Sequence, residues 1–103
     1  MPLKINKDGT RYWFDSEKQR HREDGPAVEF AQGSKYWYKH GRRHRNNGPA
    51  VELINGFKEW FKEGKRHRLD GPASELVRFD FKQYWIEGKE YTEEEYLRKV
   101  ACL

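Results

Sequence analysis

Apolar and polar residues alternate along most of the chain in runs of four to six. Period-two alternation predicts half-buried β-strands rather than helices. Trp13, Trp37, Trp60 and Trp85 mark one set of strands. Their neighbours divide into Tyr12 and Phe14, Tyr36 and Tyr38, Glu59 and Phe61, and Tyr84 and Ile86 on one side. The tryptophans share the other side with Arg11, Lys35, Lys39, Lys58 and Lys62. A second set of strands places Val28 with Phe30, Val51 with Leu53, and Ser74 with Leu76. Ala27 and Glu29, Ala50 and Glu52, and Ala73 and Glu75 face the opposite way. Small Ala beside large Trp predicts complementary packing between neighbouring strands.

These strands recur. WFDSEKQRHREDGPAVEF, WYKHGRRHRNNGPAVEL and WFKEGKRHRLDGPASEL begin at Trp13, Trp37 and Trp60, and a half copy, WIEGKEY, begins at Trp85. His21, His44 and His67 are 23 residues apart, and so are Gly25, Gly48 and Gly71. A fixed period of this size is the signature of a stacked array. Asp8-Gly9, Gln32-Gly33 and Asn55-Gly56 supply hairpin turns, because glycine accepts positive φ. Gly41, Gly64 and Gly88 end the Trp strands. The first copy has Asp15-Ser-Glu-Lys-Gln in place of that glycine, so its turn should differ. Arg78–Lys82 lacks a glycine and should form a wider loop or bulge. Pro26, Pro49 and Pro72 cannot donate a ladder hydrogen bond and belong at the start of a strand. Asp24, Asn47 and Asp70 are expected to close Asx turns.

The period ends near the C-terminus. Thr92-Glu-Glu-Glu95 reads as a capping box. Acidic residues at the start and Arg98 and Lys99 at the end suit a helix dipole. Tyr96, Leu97 and Val100 give an apolar stripe. A helix over 93–101 should cover the last strand. The expected fold is therefore mainly β: an elongated antiparallel meander of repeated hairpins, roughly eight strands, with a short C-terminal capping helix. The chain reads as one domain, 1–103. It comprises a half repeat at 1–12, three full repeats at 13–84, and a half repeat plus helix at 85–103.

Composition sharpens this picture. Aromatics make up 16% of the chain against 35% hydrophobic in all. Large rings can thus build a thin core in spite of 37% charged residues. Net charge is +4 but is unevenly spread. Residues 35–68 carry ten basic and three acidic side chains, whereas 69–103 carry five and eight. A basic centre beside an acidic end predicts an oriented surface. Cys102 is the sole cysteine, so no intrachain disulfide can form. With no apolar run of signal or membrane-spanning length, the expectation is a chain that starts near Met1 and stays in the cytoplasm.

The Trp-[Phe/Tyr]-x-x-Gly-x-x-His segment with its period of 23 resembles the MORN repeat family over about residues 11–91. After the His, however, this chain reads Arg-x-[Asp/Asn]-Gly-Pro-Ala where that family continues with Gly-x-Gly. It looks like a GPA-containing relative of the kind found in bacteriophage and mobile-element proteins. The resemblance implies stacked β-hairpins, a protein-binding scaffold and, in some members, lipid binding. If the chain is phage-encoded, its place would be the host cell cytoplasm.

Catalytic and metal chemistry find little footing. No phosphate loop, nucleophile elbow or nucleophile–base pair is present. Histidines one repeat apart are two strands apart, about 9–10 Å, too far to share a zinc ion. Each His is expected to bond the backbone of a neighbouring repeat or to pack on Trp. No metal, cofactor or enzymatic activity is expected. Binding is the better class. Arg42, Arg43, Arg45, Lys65, Arg66 and Arg68 recur at equivalent positions and would form a basic stripe, with Lys39, Lys58 and Lys62 on an aromatic–basic face. The reading is a non-enzymatic module engaging a protein or nucleoprotein complex, extending to a phage inhibitor of a host defence complex of the anti-CRISPR type. Direct RNA or DNA binding through the stripe is the alternative, and anionic-lipid binding a further one.

Overall fold

The fold was obtained as a computed structural model, which describes residues 2–103. It contains thirteen short strands and one α-helix. The strands are β1 (Leu3–Ile5), β2 (Arg11–Trp13), β3 (Val28–Glu29), β4 (Lys35–Tyr36), β5 (Tyr38–Lys39), β6 (Arg42–Arg43) and β7 (Val51–Glu52). They continue with β8 (Lys58–Glu59), β9 (Phe61–Lys62), β10 (Lys65–Arg66), β11 (Ser74–Leu76), β12 (Phe81–Ile86) and β13 (Lys89–Tyr91), followed by α1 (Glu93–Ala101). Nine strands make one antiparallel meander, β1-β2-β3-β4-β7-β8-β11-β12-β13. The molecule measures 46 × 30 × 17 Å, as expected of an array that grows by adding strands along one axis.

The remaining strands form two small hairpins, β5–β6 and β9–β10. Each is the continuation of a Trp strand past its tryptophan. The Trp37 N–H donates to the Ala50 carbonyl, and the Trp37 carbonyl accepts from His44 N–H. The chain thus changes partner at Trp37, from β7 on one side to its own hairpin on the other. Trp60 does the same between Ala73 and His67. Successive hairpins are also joined: Gly64 N–H donates to the Arg43 carbonyl, and Arg45 N–H to the Phe61 carbonyl. The result is a second row of hairpins beside the main meander.

The hairpin turns are tight. His40 and Gly41 both have positive φ, 46° and 82°, and Glu63 and Gly64 repeat this at 49° and 86°. Two central residues at positive φ define a type I′ turn, whose twist matches the flanking strands. Glu63 and Glu87 are not residues that favour this region, whereas histidine, as at His40, is enriched there. Each is held there by the histidine of the preceding repeat. His21, His44 and His67 accept through Nδ1 from the N–H of His40, Glu63 and Glu87, all at 2.9 Å. This is the expected histidine–backbone bond between repeats. The first copy does differ: the Asp15 carboxylate accepts from Glu17 and Gln19 N–H and shapes a longer turn.

The Arg-x-[Asp/Asn]-Gly-Pro-Ala motif is a clamp. The Arg22, Arg45 and Arg68 guanidinium carbons lie 3.9, 3.8 and 3.7 Å from the ring centroids of Trp13, Trp37 and Trp60. Their Nη1 atoms donate to the carbonyls of Pro26, Pro49 and Pro72. A Cβ at Gly48 would sit 3.0 Å from the Arg45 guanidinium carbon, which is why the position before proline is bare. The expected Asx turns do not form at this point. Asp24 and Asp70 instead accept from the Nε of Arg22 and Arg68, because a charged donor outcompetes a backbone N–H. Ala27, Ala50 and Ala73 are fully buried behind the clamps.

Two sequence expectations need correction near the C-terminus. Trp85 is not the counterpart of Trp60. Arg68 N–H donates to the Trp85 carbonyl just as Arg45 N–H donates to that of Phe61, so Trp85 stands in the Phe61 position and Tyr84 in that of Trp60. The extra residue enters at the 3₁₀ turn Val77–Phe79, where Asp80 takes the left-handed conformation that glycine holds elsewhere. The apolar stripe of α1 is also narrower than expected. Tyr96 is buried and Val100 half-buried, but Leu97 is exposed. The helix and its capping box form over the expected residues. Tyr96 Oη donates to the Arg68 carbonyl at 2.6 Å and accepts from Gly71 N–H, pinning α1 to the third clamp.

Candidate functional site

Cross-strand register gives the two sheet faces opposite characters. On one face the partners run Arg11, Glu29, Lys35, Glu52, Lys58, Glu75, Lys82, each directly opposite the next. Sign alternates at every step. Opposite charges at directly opposed positions stabilise a sheet, and like charges destabilise it. The clamps reinforce the ladder, since Arg22, Arg45 and Arg68 approach Glu29, Glu52 and Glu75 at 3.6, 3.2 and 3.8 Å.

The same face changes when the strands pass their tryptophans into the hairpin row. Lys39 stands opposite Arg42, and Lys62 opposite Lys65. All four are exposed. Among the described residues none of them has an ion-pair partner. Two clefts lie between the hairpins. One of about 250 Å³ is lined by Lys39, His40, Arg42, His44 and Glu63. The next, about 310 Å³, is lined by Arg42, Lys62, Glu63, Lys65, His67 and Glu87. Arg42 borders both. Burial and the nearby Lys62 ammonium hold the His67 imidazole below its ordinary pKa, which favours its neutral, hydrogen-bond-accepting form.

The basic stripe expected from the sequence is therefore three sets of cations. Arg42 and Lys65 are exposed on the ladder face with Lys39 and Lys62. Arg43 and Arg66 point the other way, because adjacent strand residues face opposite sides. They lie over aromatic rings: Arg43 is 5.4 Å from both Tyr36 and Phe61, and Arg66 is 5.4 Å from Phe61 and 5.2 Å from Trp85. Arg45 and Arg68 are consumed by the tryptophan clamps. Lys58 belongs to the ladder, between Glu52 and Glu75. Strand alternation separates the six.

One titratable cluster was not foreseen. Asp15, His21 and His40 bring a carboxylate oxygen and two imidazole nitrogens within 4.8 Å of one another. His40 Nδ1 is 2.7 Å from Asp15 Oδ2, a contact that lowers the Asp15 pKa. The two imidazoles stack with centroids 4.0 Å apart. Their in-plane lone pairs therefore do not converge on one point, as tetrahedral ligation requires. Both nitrogens of His21 are engaged, with His40 N–H and with Glu23 at 2.7 Å. The cluster is hydrogen-bonded packing at the irregular first turn. A wider concavity, about 720 Å³, lies between the Gly-Pro loops of the second and third repeats. It opens to solvent and borders Arg45 and Arg68, whose charges are already paired.

No protein family model, no curated protein and no solved structure matches this chain. Among the described residues, no helix is long and apolar enough to cross a membrane.

Proposed function

We propose that this protein is a non-enzymatic binding module whose hairpin row engages an acidic surface of a protein or nucleoprotein complex. One observation carries the reading. Cross-strand charge alternates in sign from Arg11 to Lys82 across the main meander, and on the same face of the hairpins it is cationic on both sides, Lys39 against Arg42 and Lys62 against Lys65. Such pairs weaken a hairpin, and an anionic partner removes that cost. The repeat's resemblance to mobile-element proteins makes a host defence complex, of the type that anti-CRISPR proteins inhibit, the first purified assembly to try.

The test is affinity capture from cell lysate with the wild-type chain and with Arg42→Glu/Lys65→Glu, each with and without nuclease. The expected result is a partner held by the wild type, lost by the variant, and weakened between about 50 and 200 mM salt. Survival of the capture after nuclease marks a protein contact, and loss marks direct nucleic-acid binding. A partner held equally by the variant, or none at all, overturns the proposal.

A further inference from the structure

The ring face, opposite the charge ladder, carries its own row of arginines. Arg20, Arg43 and Arg66 occupy equivalent places in the three repeats. Arg20 lies 5.5 Å from the Tyr12 ring and 5.7 Å from Tyr38, as Arg43 lies between Tyr36 and Phe61. Beneath them the cross-strand pairs are Tyr12 with Val28, Tyr36 with Val51, and Glu59 with Ser74. The third repeat thus replaces a tyrosine by a glutamate and a valine by a serine. The consequence is specific: Arg66 Nε donates to Glu59 Oε2 at 2.8 Å, and the Ser74 hydroxyl donates to the same oxygen at 3.0 Å. The third guanidinium holds a carboxylate supplied by the chain itself.

The first two do not. Among the described residues, Arg20 and Arg43 have no carboxylate at ion-pair distance and no side-chain hydrogen bond, whereas Arg22, Arg45, Arg66 and Arg68 have both. A guanidinium flanked by rings is held in place with its N–H edge available, the arrangement that suits planar, bidentate binding of a carboxylate. The rings are themselves aligned, Tyr36 on Tyr38 at 6.4 Å and 10°, and Tyr12 on Phe14 at 6.4 Å and 21°.

From this we infer that Arg20 and Arg43, with Tyr12, Tyr36 and Tyr38 beside them, form a second binding site that takes two carboxylates of an acidic protein segment. The ligand class follows from the third repeat, where the equivalent arginine binds a carboxylate and not another acceptor. Its spacing follows from the array: the carboxylates must lie one repeat, about 10 Å, apart. This site is independent of the hairpin-row reading, because Arg20 and Arg43 face away from Lys39, Arg42, Lys62 and Lys65.

The test uses the full chain labelled with ¹⁵N-arginine and a glutamate octapeptide as the probe, followed through the arginine Nε–Hε resonances. Arg20 and Arg43 should shift saturably, and Arg66, already occupied by Glu59, should stay in place. Arg43→Gln should weaken binding about tenfold, the value of one charge-assisted contact pair. Tyr36→Glu gives the second repeat the glutamate of the third and should silence Arg43 while Arg20 still responds. The wild-type titration decides alone if that variant does not fold. If Arg42 responds and Arg20 and Arg43 do not, the hairpin row stands and this inference falls. It falls equally if a thymidine oligonucleotide of matched charge shifts Arg20 and Arg43 at lower concentration than the glutamate peptide.

Discussion

Arg45 and Arg42 are three residues apart and both basic, yet their removal should have opposite consequences. Arg45→Ala deletes a guanidinium 3.8 Å from the Trp37 ring, a hydrogen bond to the Pro49 carbonyl at 3.0 Å and a contact with Glu52 at 3.2 Å. The stacking is worth about 1 kcal/mol at a half-buried site. The bond from a charged donor to a carbonyl in a buried residue adds about 1.5 kcal/mol. The Glu52 contact, with both side chains about a third exposed, adds a few tenths after solvent screening. The total is roughly 3 kcal/mol, and for a domain of this size that lowers Tm by about 12–18 °C. Arg42→Ala touches no partner and should change stability by less than about 0.5 kcal/mol. Thermal unfolding followed by circular dichroism, with the two variants side by side, measures the difference. Equal Tm values for the two would refute the division of the basic residues into clamps and a free row.

Gly48→Ala should destabilise by about 1–2 kcal/mol, since its Cβ must displace the Arg45 guanidinium from 3.0 Å, and the loss should shrink in an Arg45→Ala background. Trp85→Phe should be neutral or stabilising by up to about 1 kcal/mol in urea denaturation, because the buried Trp85 indole N–H has no acceptor in a position that Phe61 fills in the previous repeat. The Tyr84 phenol is pushed up to about 12, first by its hydrogen bond to Glu93 at 2.6 Å and then by burial and nearby charge. A raised folded pKa gives stability that is complete below pH 10 and is lost as pH rises to 12. Ultraviolet titration should show one late-ionising tyrosine that Tyr84→Phe removes.

The meander was legible because its signals are local. Alternation, Asp-Gly and Asn-Gly turns, and a capping box each follow from residues close in sequence. The His–backbone bond was legible too, since a residue repeated every 23 positions has its own neighbour copy as the nearest partner. Misreading Trp85 had a visible signal that residue type concealed. Trp60 is four residues before Gly64, and Trp85 only three before Gly88. The glycine, fixed by a positive-φ turn, was the better anchor than the tryptophan. The charge ladder and the ring-flanked arginines were out of reach for another reason. They depend on which strand lies opposite which, and Lys35 meets Glu52 only after the chain has turned back through the hairpin and the Gly-Pro loop.

The second and third repeats each spend three cations near the histidine in different ways, the first having Gln19 at the outermost place, and the third repeat shows what the difference means. The arginine after the histidine, Arg22, Arg45 or Arg68, is bound to tryptophan, proline and glutamate in every copy. An invariant set of internal partners makes it part of the fold. The arginine before the histidine has a carboxylate only where the chain provides Glu59. The fold therefore does not require that contact, since two of three repeats form the same hairpin or bridge without it. The outermost cations, Arg42 and Lys65, have no internal partner in either copy, and their cross-strand neighbours are cations as well. Moving outward from the clamp, the charges pass from fully satisfied, through satisfied once, to opposed by their own neighbours. A sequence under selection for stability alone would continue the alternating ladder of the main sheet into the hairpins, with a glutamate at 39 or 42 and at 62 or 65. It stops at the tryptophans, where in the second and third repeats the strand leaves the main sheet for its own hairpin.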